Sequence, residues 1–143
     1  MIEPFSGGCL CDAVRYTCTA APIVAGLCHC RDCQRHTGTG HAAHLAVPRA
    51  ALTVEGALSF YPRPADSGNL VKRGFCPTCG SGVLSENDGF PDMIFLRAGS
   101  LDDPGTFQPA LVVYASRAQA WDHVDPALPA FPEMPDPAQM PAA

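Results

Sequence analysis

Apolar and polar positions alternate along the chain in short runs, and no long window sustains the 3.6-residue period of a helix. Val14-Arg15-Tyr16-Thr17-Cys18 alternates strictly, which puts Val14, Tyr16 and Cys18 on one face of a strand. Ile23–Leu27 reads as a strand, and so does His41–Val47, which ends at Pro48. Pro48–Leu52 fits one helical turn with proline at its start. Thr53–Tyr61 looks like a hairpin turning at Glu55-Gly56, followed by a loop over Pro62–Gly68. Asn69–Phe75, Ser81–Leu84, Met93–Ala98 and Ala110–Ala115 are further strands, with a turn at Gly99–Pro104 and one helical turn at Ser116–Trp121. Thirteen glycines and fifteen prolines punctuate these runs, as short strands joined by turns require. The pattern predicts a mainly β fold of antiparallel sheets with a few short helical turns. The last 22 residues hold six prolines and no alternation, so the chain divides into a β domain over 1–121 and a Pro-rich, acidic C-terminal tail over 122–143, extended or draped over the body.

Length and charge narrow the class. A chain of 143 residues suits one domain, and 47% hydrophobic residues exclude disorder of the whole. The net charge of −5 is uneven, because Asp122, Asp125, Glu133 and Asp136 lie in a tail that has no Lys or Arg. The body, with nine basic and ten acidic side chains, is close to neutral, which argues against nucleic acid as a partner. No apolar run reaches the length of a membrane span, and Met1-Ile2-Glu3-Pro4 has neither the basic nor the apolar region of a signal peptide. The expectation is a soluble, cytoplasmic protein without a membrane partner.

The chemistry is carried by cysteine. Seven of the eight fall in close spacings: Cys9-x-Cys11, Cys28-x-Cys30-x2-Cys33 and Cys76-x2-Cys79. Such knuckles suit a soft metal, above all Zn²⁺, better than a disulfide framework. On an extended segment Cys28 and Cys30 share a face about 6.6 Å apart, and a tight turn brings Cys33 back to the same point. In Phe75-Cys76-Pro77-Thr78-Cys79-Gly80, proline fixes the turn and glycine takes the left-handed conformation beyond it. The simplest partition joins Cys9, Cys11, Cys76 and Cys79 in a closed tetrahedral site and leaves Cys28, Cys30 and Cys33 as an open one. The alternative closes the triad with a histidine. His29 faces away from Cys28 and Cys30 on a strand, whereas His36 is better placed, and His41 and His44 are within reach. Cys18 lies outside every knuckle and reads as a core residue. A redox role for Cys30-x2-Cys33 lacks a surrounding βαβ pattern, and the proline-glycine knuckle suits zinc better than an iron–sulfur cluster.

Gly7–Tyr16 (Gly-Gly-Cys-Leu-Cys-Asp-Ala-Val-Arg-Tyr), Cys28–Gly38, Phe75–Ser81 and Ala98–Pro104 come in an order that resembles the glutathione-dependent formaldehyde-activating family over about residues 6–121. The resemblance implies a β-tent fold bridged by zinc and two zinc ions per chain. It assigns a structural zinc to Cys9, Cys11, Cys76 and Cys79 and a catalytic zinc to Cys28, Cys30 and Cys33. Asp12 departs from the glycine usual at its place. A zinc held by three thiolates is a weaker acid towards water than one held by histidines, yet it can take a thiol as fourth ligand. This favours a carbon–sulfur lyase or synthase acting on glutathione adducts of small carbonyls, with glutathione as co-substrate. Arg31 and Arg35 can offset the site's charge or meet glutathione's carboxylates. The competing reading is a non-enzymatic binding module with both metals structural.

Overall fold

The computed structural model describes residues 3–141. Two sheets enclose the core. The smaller contains β1 (Phe5–Gly8), β2 (Arg15–Cys18) and β5 (Leu52–Glu55), in the order β1-β2-β5 and antiparallel throughout. The larger has seven strands: β3 (Val24–Cys28), β4 (Ala42–Pro48), β6 (Ser59–Pro64), β7 (Leu70–Phe75), β8 (Gly82–Asn87), β9 (Met93–Arg97) and β10 (Leu111–Val113). Their order is β10-β3-β4-β9-β8-β7-β6. The fold is thus mainly β, as the alternation predicts. One pairing departs from it, since β10 runs parallel to β3 at the sheet's end.

The alternating face of β2 is the centre of the core. Val14, Tyr16 and Cys18 are buried against Leu45, Val47, Val83, Ile94 and Leu96 from the larger sheet. The motif at Ala98–Pro104 locks β1 and β2 in place. Ser100 Oγ meets Tyr16 Oη at 2.7 Å, and Arg15 Nη1 donates to Asp102 Oδ1 at 2.9 Å. Gly7 packs so tightly there that a Cβ would lie 2.3 Å from the Ser100 carbonyl oxygen. Cys18 lies outside both cysteine knuckle groups, its thiol donating to the Ala20 carbonyl at 3.4 Å. Cys18→Ala should therefore lower stability by about 1–2 kcal/mol in a denaturant titration and leave metal content unchanged.

Three local expectations need correction, and one strand lies where none was expected. Thr53–Tyr61 is not a hairpin, because β5 pairs with β2 and β6 pairs with β7. A two-residue hairpin turn wants φ > 0 at its first central residue, and here only Gly56, the second, has it, at +89°. Its left-handed backbone passes the chain from one sheet to the other. Pro62 and Pro64 belong to β6 rather than to a loop, since β6 is an edge strand where a missing N–H costs no pairing. Phe5–Gly8 forms a strand that its glycines obscure. Finally, Arg31–Thr37 is an α-helix, α1, where the sequence suggests only a tight turn. Seven residues are too few to show a period, but both caps are present. Cys30 Sγ accepts from the Cys33 N–H, and Gly38, at φ 77°, returns its N–H to the Gln34 carbonyl.

Beyond Asp122 the chain is docked on the larger sheet. Phe131 N–H donates to the Val112 carbonyl at 2.9 Å, and the Val112 N–H donates to Pro129 O at 2.8 Å. Phe131 and Met140 pack against Leu111, Val113 and Tyr114. Among the described residues, no helix is long and apolar enough to cross a membrane.

Candidate metal centres

Cys9 and Cys11 lie in the connection of β1 to β2, and Cys76 and Cys79 in the connection of β7 to β8. The two connections come from different sheets, yet the four sulfurs converge within 4.8 Å of one another. Cys9 Sγ is 3.7 Å from Cys11 Sγ, which is 3.8 Å from Cys76 Sγ. Sulfurs at about 2.3 Å from a tetrahedral zinc stand about 3.8 Å apart, so the separations match a zinc-sized centre. The backbone is arranged around the sulfurs. Val14 N–H points at Cys9 Sγ at 3.3 Å, and Gly80, left-handed as expected, donates to the Cys76 carbonyl at 2.8 Å. The Ser81 hydroxyl, 3.2 Å from Cys79 Sγ, and the Ser81 backbone push that thiol down to about 5. Asp12 takes φ +65°, which explains why glycine suits its position. Aspartate is one of the few other residues that tolerates this conformation.

The second group forms where β3 meets α1. Cys28 ends the strand, Cys30 caps the helix and Cys33 lies one turn inside it. Their three sulfurs lie within 4.8 Å of one another, and no histidine belongs to the group. Hydrogen bonds from the Cys28 and Cys33 thiols push Cys30 down to about 2, which favours a thiolate at that position.

Two buried arginines answer that charge. Arg73 on β7 and Arg97 on β9 are only 6% and 7% exposed, and each leaves its Nε without a hydrogen-bond partner. Sequence reading overlooked both. The signal for Arg73 was its alternation with Val71 on the inward face of β7, which placed a charge where the core should be.

Arg97 also settles how the nearby histidines are oriented. Its Nη1 lies 2.8 Å from His44 Nδ1, and its Nη2 lies 3.4 Å from His36 Nδ1. A guanidinium only donates, so both Nδ1 atoms accept. Burial, with the Arg97 charge, holds His44 far below its ordinary pKa, and burial, with Arg97 and Arg73, pushes His36 down to about 4. Each neutral ring must then carry its proton on Nε2. His44 Nε2 is 3.8 Å from Cys33 Sγ, which makes His44 an N–H donor towards that sulfur rather than a metal ligand. His36, the favoured candidate for closing the triad, instead packs against Gly82, where an added Cβ would meet its Cε1 at 2.8 Å. His29 turns away from the triad, as expected, and joins His41 and Asp122.

Two recesses open on the surface. One of about 560 Å³ runs along α1, lined by Arg31, Arg35, Gln119 and Trp121 among others. Arg31 is held by Gln34 Oε1, and the Gln34 amide is fixed by the His29 and Arg117 carbonyls at 2.7 and 2.9 Å. The other, of about 380 Å³, lies over β5 and β6, and neither recess is lined by a cysteine.

The chain's relatives agree with this architecture. A crystal structure of a Rhodobacter sphaeroides protein, solved as a structural-genomics target, is 23% identical and superposes with a TM-score of 0.52, covering 68% of this chain and 87% of that one. That likeness establishes the fold. No curated protein matches the chain. The family model described as glutathione-dependent formaldehyde-activating enzyme matches residues 4–117, which include both cysteine groups and all four sequence motifs. The chain belongs to the glutathione-dependent formaldehyde-activating enzyme family.

Proposed function

We propose that Cys28, Cys30 and Cys33 hold a catalytic zinc, that Cys9, Cys11, Cys76 and Cys79 hold a structural one, and that the chain is a carbon–sulfur lyase or synthase. Its substrates are glutathione and a small carbonyl compound, and the family supports the first of these. The observation that carries the reading is the orientation of His44 and His36. Both present Nδ1 to Arg97, so neither can complete the triad through Nε2 without losing the proton that Arg97 forces onto it. Zinc bound by the three cysteines would supply a Lewis-acidic position that accepts a thiol as its thiolate.

The chain's own residues do the rest. Three thiolates and a divalent cation sum to −1, and Arg73 and Arg97 reverse that sign. The surroundings therefore favour an incoming anion. The His44 Nε2–H, facing Cys33 Sγ, withdraws charge from one ligand and fixes its direction. Arg31 and Arg35 line the recess along α1 and would bind the carboxylates of the peptide thiol. In the synthetic direction a carbon–sulfur bond forms between thiol and carbonyl carbon, the carbonyl π bond breaks, and the thiol's proton ends on the new hydroxyl. The lyase direction reverses each change.

Glutathione should stabilise the protein against heat, whereas its serine analogue, which offers the same peptide contacts, should do so far less. The shift should grow as pH rises towards the thiol's pKa, because coordination releases the thiol proton. Equal stabilisation by both compounds would leave a peptide-binding surface without a role for the metal. No stabilisation by either, with a histidine found on the zinc, would establish the non-enzymatic module instead.

A further inference from the structure

His29, His41 and Asp122 form a third converging group, separate from both sets of cysteines. His29 is 1% exposed, and neither of its ring nitrogens has a hydrogen-bond partner. Burying both without a well-formed hydrogen bond is unfavourable, because each has lost its water and the Asp122 carboxylate stands only at the edge of hydrogen-bond range. His41 Nδ1 lies 2.7 Å from Asp122 Oδ2, and His29 Nδ1 lies 3.5 Å from the same oxygen. Ligand atoms about 2.0–2.1 Å from a cation stand about 2.9–3.4 Å apart, between octahedral and tetrahedral angles, so these separations bracket a metal-sized centre. The backbone makes room for it. Gly40 lies so close to Asp122 that a Cβ there would sit 2.2 Å from Oδ2.

We propose that His29, His41 and Asp122 bind a third divalent cation. Two imidazoles and one carboxylate are borderline donors, so Zn²⁺ fits first, and Co²⁺, Ni²⁺ and Fe²⁺ share the chemistry. The cation gives one of the two His29 nitrogens the partner that its burial denies it. It also has a mechanical consequence. His29 precedes α1 and His41 follows it, so one ion would fasten both ends of the helix that carries Cys33 to Asp122. The site does not depend on the roles assigned to the cysteines.

The test is a titration of protein already carrying two zinc equivalents with Co²⁺. Thiolate sites retain zinc against cobalt, so added Co²⁺ reports the nitrogen–oxygen site. One further equivalent should bind, with ligand-field absorption but without the sulfur-to-cobalt charge transfer that thiolates give. Asp122→Ala, His41→Ala and Gly40→Ala should each lose that equivalent while keeping two zinc ions and the wild-type circular dichroism. If one variant misfolds, the remaining two decide. No third equivalent in the wild type would overturn the proposal, as would a third equivalent that persists in the folded variants.

Discussion

Cys76→Ser is expected to abolish folding rather than merely to weaken it. Cys76 is fully buried and stands 3.8 Å from Cys11 Sγ, at the one place where the connection of β1 to β2 meets that of β7 to β8. The smaller sheet has only three strands and is held to the larger by core packing, by the Ser100 and Asp102 contacts to β2 and by this group of four thiols. Zinc binding at such sites is worth about 10–16 kcal/mol in apparent terms, comparable to or larger than the whole stability of a typical domain. A serine hydroxyl is a far poorer ligand than a thiolate, so most of that contribution disappears. The protein should express as insoluble or proteolysed material, or show no cooperative thermal transition. A soluble Cys76→Ser protein with the wild-type melting temperature would mean that the four cysteines do not hold a structural metal.

Cys33→Ser should give the opposite outcome, a folded protein without activity. Cys33 joins the second packed cluster, around Leu111, Val113 and Tyr114, at the far end of the larger sheet from its β6 edge. The clamp between the sheets is untouched. What is lost is one of three thiolates, and with it several kcal/mol of the Lewis-acid contribution, so turnover should fall below about one hundredth. Arg97, only 7% exposed, loses part of its countercharge as well. Some loss of stability is therefore expected, smaller than the effect of Cys76→Ser. Circular dichroism and zinc content, measured beside activity, separate the two classes of site. If both variants unfold alike, the division between structural and catalytic metal is wrong.

Local pattern made most of the strands legible, and cysteine spacing made both cysteine groups legible. Val14, Tyr16 and Cys18 face the core as their alternation predicts, and each knuckle converges as its spacing demands. What the sequence concealed were relations between distant segments. β5 and β6 look like neighbours, but β5 pairs with residues 34–40 positions upstream and β6 with residues 6–16 positions downstream, and only three-dimensional packing chooses between them. The orientation of His44 depends on Arg97, 53 positions away, which no spacing argument reaches. His29 was rightly read as turned from the triad, but its companion Asp122 belonged to a segment read as a tail.

The central claim is that the triad metal is held by Cys28, Cys30 and Cys33, with no histidine, and accepts a thiol. X-ray absorption at the zinc edge tests it directly, on protein carrying two zinc ions, before and after glutathione is added. The cysteines present seven sulfurs to two metals. The resting spectrum should show that sulfur content without the multiple scattering of imidazole, and glutathione should raise the count by one sulfur. Imidazole scattering in the resting protein that Arg97→Met leaves unchanged, together with a sulfur count that glutathione does not alter, would contradict the account.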